Sequence, residues 1–250
     1  MAAGAVAILA LGRGLGRHAH HGVASILVCS IAASLYLLMA QGQGDMIVSN
    51  SQVAITPEGI TQEGSAQFVY FARYIDWIVT TPLLLIGLLG IGLVAVNDSA
   101  EAARERSGLV VGVIGADMLM ILTGLFGALS LDDGHKYTWF VVSCVFFVAV
   151  LAVIWGPVRK AAAAQGPATA ALYGKLLGIL TVLWLIYPVL WLLGTEGTGV
   201  ISLDAEVAVF TVIDLLAKVG FGVVLVLGVK RLQSLEAADR PSPSAVPAAG

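Results

Sequence analysis

Charged side chains interrupt two of the most apolar stretches of this sequence. Arg73, Asp76 and Thr80 stand at i, i+3 and i+7 in RYIDWIVTTPLLLIG, so on a helix they share one face. Asp214 and Lys218 share a face in the same way, at i and i+4 in IDLLAK. A buried lysine can form a Schiff base with a carbonyl compound, and nearby carboxylates can hold its positive charge. The alternative is a structural cluster of ion pairs that holds helices together.

Aromatic residues mark a third apolar stretch, LWLIYPVLW. Trp184, Tyr187 and Trp191 share one helical face, and Pro188 predicts a kink that opens space beside the helix. The tryptophans begin well inside the run, which disfavours an aromatic belt at the membrane surface. An aromatic-walled slot that faces a buried lysine would suit a long, apolar, conjugated aldehyde.

The composition of the whole chain places these charges inside a membrane. Hydrophobic residues make up 58% of the 250 residues and charged residues only 12%, and the mean hydropathy is +0.94. These values exclude an ordinary soluble domain. Continuous apolar runs of about 20 residues favour membrane-spanning helices over a barrel. The predicted spans are 22–40, 68–96, 108–130, 137–156, 170–193 and 205–229.

The amino-terminal stretch MAAGAVAILALG is a seventh candidate. As a helix it reaches only about 18 Å, roughly half of the hydrocarbon core. We predict a shortened first helix, and the alternative is a chain whose true start lies upstream. Of the 13 Lys and Arg residues, all except Arg73, Lys136 and Lys218 then fall on one side, which should be the cytoplasmic side.

The predicted fold is therefore an all-α bundle of seven transmembrane helices over residues 1–233. Its amino terminus would be outside and its carboxyl terminus in the cytoplasm. Residues 234–250 are polar and proline-rich, which is typical of a disordered tail.

Three smaller features complete the pattern. Residues 41–67 form a long outer loop, in which MIVSNSQVAIT could form a short hairpin. Cys29 and Cys144 lie in mid-segment, where small buried hydrophobic residues are favoured over a disulfide or metal pair. The stretch HAHH at His18–His21 favours a solvated cytoplasmic loop, so we predict no metal site.

Taken together, these segments resemble the microbial rhodopsins, the seven-helix retinal-binding family, and especially the bacteriorhodopsin-type proton pumps. RYIDWIVTTPL is similar to the third-helix motif of that family, and IDLLAKVGFG is similar to its retinal-lysine motif. LWLIYPVLWLLGTEGTG is similar to the sixth helix and the following loop. GADMLMILTGLFGAL and LYLLMAQGQG match the fourth helix and the end of the second, so the resemblance covers Tyr36 to Gly228.

The resemblance implies a role for each charged residue. Lys218 would hold all-trans retinal as a protonated Schiff base. Asp76 would be its counterion and proton acceptor, and Asp214 the second counterion. Arg73 would balance both carboxylates, and Thr80 would bond to Asp76.

The resemblance also implies the residues around the chromophore. Tyr36 and Tyr187 would orient Asp214, and a protonated Asp117 would bond to Thr81. The other pocket residues would be Trp77, Thr81, Leu84, Met120, Thr123, Gly124, Phe140, Ser143, Phe147, Trp184, Pro188, Trp191 and Ala217. Leu84 and Ala217 imply absorption of green light, and Phe140 stands where relatives with a carotenoid antenna have glycine.

The implied function is light-driven outward proton pumping, with Glu196 and Glu206 at the positions of the family's proton-release pair. The chain departs from the archetypal pumps at Gly87, eleven residues after Asp76, where those pumps carry the carboxylate that reprotonates the Schiff base. We therefore predict reprotonation from the cytoplasm through water, without a dedicated donor. The alternative is a photosensor that signals to a membrane partner, since a slow cycle would suit sensing.

The partners follow from the same resemblance. We expect a homo-oligomer in a lipid bilayer, spanning a prokaryotic inner or plasma membrane several times and transporting protons. We expect an ion transporter rather than an enzyme, and no nucleic-acid partner.

Overall fold

The computed structural model describes residues 1–50, 52–56, 59–93 and 99–238, without the side chains of residues 17 and 52–63. Helices dominate the described part. They are α1 (Ala2–Leu11), α2 (Ala19–Ala40), α3 (Phe71–Gly92), α4 (Ala100–Ala128), α5 (Asp133–Trp155), α6 (Pro157–Ala164), α7 (Pro167–Leu193), α8 (Leu203–Leu215) and α9 (Phe221–Ala238). A 3-10 turn, Gly16–His18, precedes α2, and a π-helical turn, Leu216–Gly220, joins α8 to α9.

Six helical segments of the described chain are long and apolar enough to cross a membrane. They are α2, α3, α4, α5 with α6, α7, and α8 with α9. The short helix α1 packs against α2 and α9 and completes the bundle. The prediction of a seven-helix bundle with a shortened first helix is confirmed, while the orientation of its termini stays a prediction.

Local sequence sets where several helices begin. Ser99 and Asp132 cap α4 and α5, because their side-chain oxygens accept hydrogen bonds from the backbone N–H groups of Ala102 and His135. Pro157 and Pro167 start α6 and α7 at the first helical position, where proline costs no hydrogen bond. The helices are thus fixed at ends that water can reach, while their apolar bodies span the membrane.

Helix α3 is the most buried of the described spans, with 67% of its most apolar window inside the protein. The other spans expose half or more of the corresponding window, as expected for helices that face lipid. Charged side chains on α3 are therefore shielded from the hydrocarbon by neighbouring helices. This is the arrangement in which intramembrane charges are tolerated.

The outer loop contains two separate two-stranded antiparallel sheets, and they correct the predicted hairpin. The strands are β1 (Met46–Ser49), β2 (Gln52–Thr56), β3 (Gly59–Glu63) and β4 (Ala66–Val69). The predicted hairpin would pair β1 with β2, whereas β1 pairs with β4 and β2 with β3. Asn50 explains the difference, because it bonds to Ser65 through its backbone and its side chain and so extends the first ladder toward the second.

The last helix is longer than predicted. Helix α9 continues to Ala238, so residues 234–238 are helical and do not belong to a disordered tail. Gln233 donates a hydrogen bond of 2.6 Å to the carbonyl oxygen of Leu15, which ties this helix to the turn between α1 and α2. The rest of the predicted tail, 239–250, lies outside the described residues.

Candidate functional site

The ammonium group of Lys218 lies between two carboxylates. Its Nζ is 2.7 Å from Oδ2 of Asp76 and 2.9 Å from Oδ1 of Asp214. All three residues are at most 1% exposed. Asp76 comes from α3, Asp214 from α8, and Lys218 from the π-helical turn Leu216–Gly220. The two charged faces inferred from sequence spacing therefore meet, and a buried amine is held in a charge-compensated position.

The two carboxylates have different surroundings. Asp214 accepts hydrogen bonds from the hydroxyls of Tyr36 (2.6 Å) and Tyr187, and from the indole N–H of Trp77 (3.3 Å). Asp76 has one oxygen on the lysine, while its buried Oδ1 has no protein partner among the described residues. Asp214 is thus surrounded by hydrogen-bond donors, whereas Asp76 keeps one carboxylate oxygen without a protein donor in the described part of the chain.

Two threonines on α3 lie beside these groups. The hydroxyl of Thr80 donates to the backbone carbonyl of Asp76 at 2.8 Å. The hydroxyl of Thr81 lies 2.7 Å from the carbonyl oxygen of Trp77 and 2.8 Å from Oδ2 of Asp117. One hydroxyl proton cannot serve both acceptors fully, whereas a protonated Asp117 would donate to the Thr81 hydroxyl and leave the hydroxyl proton for the carbonyl of Trp77. Oδ1 of Asp117 is buried without a partner among the described residues.

Arg73 points to a different partner from the one predicted. Its Nη1 lies 2.7 Å from Oε1 of Glu206, and its guanidinium carbon lies 4.7 Å and 4.5 Å from the ring centres of Tyr70 and Phe210. Among the described residues, it makes no ion pair with the carboxylates beside Lys218. The physical reason is that Glu206 is itself buried, so its charge needs a cation within contact distance.

The two glutamates predicted to release protons are both buried, at 3% for Glu196 and 1% for Glu206. Oε2 of Glu206 accepts bonds from the backbone N–H and hydroxyl of Thr195, at 2.7 Å and 2.9 Å. Glu196 accepts a 2.6 Å bond from the hydroxyl of Tyr74, which in turn accepts one from the indole of Trp191. Each carboxylate therefore has its own donors.

Burial raises the pKa of Glu196 to about 7. The hydrogen bond from Tyr74 and the positive charge of Arg73 oppose this shift, because both favour the ionised form. Gln67 on β4 covers the same region. Its side-chain amide donates a hydrogen bond of 2.8 Å to the carbonyl oxygen of Ala128 and one of 3.4 Å to the carbonyl oxygen of Glu196. Glu196 is thus a buried carboxyl poised to exchange its proton near neutral pH.

An apolar cavity lies against this polar network. Its lining residues are Tyr74, Trp77, Thr81, Met120, Ile121, Gly124, Phe140, Ser143, Cys144, Phe147, Trp184, Tyr187, Pro188, Trp191 and Phe210. Most of the predicted pocket residues are among them. The predicted pocket residues that do not line it are Tyr36, Leu84, Asp117, Thr123, Ala217 and Lys218.

Sequence reasoning missed some cavity residues that helical spacing could have found. Cys144 follows Phe140 by four positions, Tyr74 precedes Trp77 by three, and Phe210 precedes Asp214 by four. Each therefore shares a face with a residue already assigned to the pocket or, for Phe210, to the counterions. Ile121 follows the predicted pocket residue Met120 directly, and no comparable spacing singles it out.

The residues present fit the retinal that the resemblance implies. Trp77 and Tyr187 line the cavity and also donate hydrogen bonds to Asp214, which pairs with Lys218. The amine of Lys218 is thus linked through Asp214 to two residues that line the aromatic-walled cavity. Phe140 stacks on Trp191 with ring centres 4.7 Å apart, which gives the cavity a flat wall suited to a conjugated chain.

The region around Gly87 contains a polar residue that sequence reasoning placed elsewhere. His21 is only 1% exposed and belongs to α2, so it does not lie in the solvated loop predicted for His18–His21. It packs on α3, because a Cβ added at Gly90 would lie 2.8 Å from its Cε1. Its Nδ1 is buried without a partner in the described part of the chain. At Gly87 itself, an added Cβ would lie 3.0 Å from Leu225.

Side chains close the same end of α3. Gln165 lies in the turn between α6 and α7, and its side-chain amide donates a hydrogen bond of 2.7 Å to the carbonyl oxygen of Gly92. Val158 and Tyr173 also pack on Gly92, and the hydroxyl of Tyr173 donates to the carbonyl of Ile154. The carboxyl end of α3 is thus capped by the α5–α7 connection.

Comparison with known proteins gives consistent matches along the chain. A family model described as "Bacteriorhodopsin-like protein" matches residues 1–232. Archaerhodopsin-3 of Halorubrum sodomense is 39% identical over 221 residues, which are 88% of this chain and 76% of that protein. Bacteriorhodopsin of Halobacterium salinarum is 34% identical over 219 residues, covering 88% and 74%.

Solved structures show the same similarity. The rhodopsin CsR of Coccomyxa subellipsoidea, described as a light-driven proton pump, has a TM-score of 0.71 and 34% identity, covering 90% of this chain and 89% of its own. A thermophilic rhodopsin from Rubrobacter xylanophilus has a TM-score of 0.73 and 32% identity, covering 94% and 96%.

Proposed function

Because this chain belongs to the bacteriorhodopsin-like family, we propose that it is a light-driven outward proton pump with all-trans retinal bound to Lys218 as a protonated Schiff base. The observation that carries the proposal is the buried amine of Lys218, held by Asp76 and Asp214 beside an aromatic cavity. When bound, retinal would supply light absorption and a light-driven change in the proton affinity of the lysine nitrogen. The protein's residues would do the rest.

In this proposal Asp76 accepts the proton. It forms its ion pair with Lys218 as a carboxylate, and its second oxygen has no protein donor to displace. Asp214 would remain the second counterion, because its oxygens already accept hydrogen bonds from Tyr36, Trp77 and Tyr187. Because, of these two residues, only Asp76 has a carboxylate oxygen without a protein donor among the described residues, the proton of the lysine nitrogen would move to Asp76 and not to Asp214.

Release then follows from Arg73. Neutralising Asp76 removes a negative charge inward of Arg73, so the guanidinium is held more strongly by the outer glutamates. A closer cation favours ionised carboxylates, and Glu196, whose pKa lies at about 7, is the group ready to lose a proton. The contact between Arg73 and Glu206 supports this route, since it links Arg73 to the release region.

Proton entry is proposed to proceed from the cytoplasm through water, without a carboxylate donor on α3. Gly87 offers no proton-carrying group, and the packing of His21 on Gly90, one helical turn away, supports a relay role for its imidazole. This relay departs from the prediction made from sequence, which included no internal proton carrier. A buried histidine whose ring nitrogen has no partner among the described residues can pass on a proton that water delivers.

The location and orientation of the protein in the cell are also proposed, from the family resemblance and the distribution of basic residues. Residues 1–233 would form the retinal-binding domain of a homo-oligomer in a prokaryotic plasma membrane, with the amino terminus outside. The basic side, including Arg13, Arg104, Lys160 and Lys230, would face the cytoplasm. A tag at the carboxyl terminus should resist protease in intact spheroplasts and be cleaved after lysis.

The decisive experiment is to express the chain with retinal, illuminate cells in unbuffered medium and record the external pH. Acidification that a protonophore abolishes supports the pump. A coloured protein that changes no pH would favour the photosensor instead. Lys218→Ala should give a folded, colourless protein, and colour in that variant would refute the proposed linkage.

A further inference from the structure

The outer surfaces of α5 and α7 carry two exposed apolar stripes. On α5, Val141, Val145 and Val148 follow helical spacing and lead to Trp155. On α7 the stripe consists of Val182, Leu185 and Val189. Val148 is 63% exposed and Val182 64%. Such surfaces face lipid chains in a membrane protein.

A hydrogen bond joins the two stripes at one end. The indole N–H of Trp155 donates a hydrogen bond of 3.0 Å to the hydroxyl of Thr181, the residue before Val182. Trp155 is nevertheless 42% exposed, so its ring lies at the surface of the seam between α5 and α7. An exposed tryptophan with a bonded N–H is typical of the boundary between hydrocarbon and lipid headgroups.

Basic residues stand just beyond the joined ends of both stripes in the sequence. Arg159 places its guanidinium carbon 5.3 Å from the ring centre of Trp155, so the ring holds this charge over the seam. Lys160 follows on α6, and Lys175 stands seven residues before Val182, on the same face of α7. All three basic side chains are exposed.

These cations lack acidic partners. The sequence contains no Asp or Glu between Asp133 and Glu196. In the described part of the chain, Arg159, Lys160 and Lys175 form no ion pair, whereas the membrane-embedded Lys218 is fully paired. A preorganised guanidinium with unused N–H donors is suited to bind a phosphate through two parallel hydrogen bonds.

We propose that this seam is a binding site for one anionic phospholipid, of the phosphatidylglycerol type. Its phosphate would contact Arg159 and Lys175, and its acyl chains would lie along the stripes that contain Val148 and Val182. Charge complementarity selects an anionic headgroup over a zwitterionic one, and the apolar stripes select a lipid over a free anion. Each basic residue near an anionic membrane surface contributes roughly a fivefold preference.

The test is native mass spectrometry of the full-length protein in mild detergent. Phosphatidylglycerol and phosphatidylcholine with identical acyl chains are added in equal amounts, with excess inorganic phosphate in a parallel sample. The wild type should retain one phosphatidylglycerol, and R159Q/K175Q should lose at least about fivefold of that preference. K230Q/R231Q is the matched control, since it removes two charges from α9, and it should keep the preference.

Three results would overturn the proposal: unchanged preference in R159Q/K175Q, an equal loss in the control, or displacement of the lipid by inorganic phosphate. Trp155→Leu should weaken retention, while Trp155→Phe, which keeps a ring beneath the guanidinium, should retain most of it.

A measurement on the wild type guards against variants that fail to fold. Phosphatidylglycerol with brominated acyl chains should quench tryptophan fluorescence more than brominated phosphatidylcholine at the same mole fraction in nanodiscs. The excess quenching should disappear in Trp155→Phe. Equal quenching by the two lipids in the wild type would rule out the site.

Discussion

The two halves of the interior differ sharply in how many polar groups they contain. On one side of Lys218, hydrogen bonds and ion pairs run from Asp214 through Trp77 and Tyr187, and again from Arg73 to Glu206. On the other side, apolar residues fill the space around Gly87. The buried apolar residues there include Leu84, Leu85, Leu88, Phe221 and Leu225.

This contrast teaches that proton exit and proton entry pose different physical problems. A chain of buried carboxylates and donors can hold a proton at defined positions, so exit can be fast and directional. An apolar half with one buried imidazole must first admit water. We therefore expect substitutions in the polar half to stop or redirect release, and substitutions in the apolar half to change the rate of recovery.

The largest effect is expected from Asp76→Asn. Asparagine cannot accept the proton, and Asp214 is already saturated with donors, so outward pumping should fall by roughly a hundredfold or more. The measurement is the initial rate of external acidification per pigment. Asp117→Asn is the matched control, because Asp117 bonds only to Thr81 among the described residues, and it should keep most of the activity. A comparable loss of pumping rate in both variants would contradict the proposal that Asp76, and not Asp117, accepts the proton.

His21→Phe tests the apolar half. The substitution keeps a ring against Gly90 but removes the exchangeable nitrogen, so recovery of visible absorbance after a flash should slow roughly tenfold or more. Recovery should also slow further as pH rises, because the supply of protons falls. Small permeant acids such as azide should restore the rate.

His20→Phe provides the comparison for this variant. His20 is exposed and its ring lies 4.1 Å from that of His21, so its loss should change recovery little. Slower recovery in His20→Phe together with normal recovery in His21→Phe would contradict the relay.

A smaller, pH-dependent effect is expected at Glu196. With a pKa of about 7, it holds a proton below that pH and can release it early in the cycle. Above that pH it is already ionised, so early release should disappear as pH rises. Tyr74→Phe removes a donor that lowers this pKa, and the transition should move upward by about one pH unit.

A pH-sensitive dye outside sealed vesicles would report the release time in both proteins. Trp191→Phe alters the donor to Tyr74 without touching the carboxyl and should shift the transition less. A downward shift in Tyr74→Phe would mean that Tyr74 does not stabilise the ionised form.

The convergence of charges was predictable because it depends on helical periodicity. Once Asp76 lies on a buried helix face, and Asp214 and Lys218 share another, membrane burial requires the faces to meet. The aromatic wall follows in the same way from the spacing of Trp184, Tyr187 and Trp191. Periodicity alone accounts for these features.

Other features depend on distances between elements, which spacing does not encode. Arg73 has a long side chain and several carboxylates within reach, and only the packed structure decides in favour of Glu206. His21 looked solvated in the sequence because its neighbours are polar, but the side of α2 that it occupies turns toward Gly90. The pairing of β1 with β4 is likewise set by contacts across the loop.

The smallest effect concerns the cap on α3. Gln165→Ala removes the hydrogen bond to the carbonyl oxygen of Gly92, at a cost of about 1 kcal/mol of unfolding free energy. A looser end of α3 should admit water more readily, so recovery should become about twofold faster while the release time stays the same. Gln233→Ala loses an equivalent bond, from α9 to Leu15 in the turn between α1 and α2, and it should lower stability without changing recovery. Flash spectroscopy combined with thermal unfolding separates these outcomes. If recovery is limited by water entry past α3, only the first variant accelerates it; equal acceleration in both would place the barrier elsewhere in the apolar half.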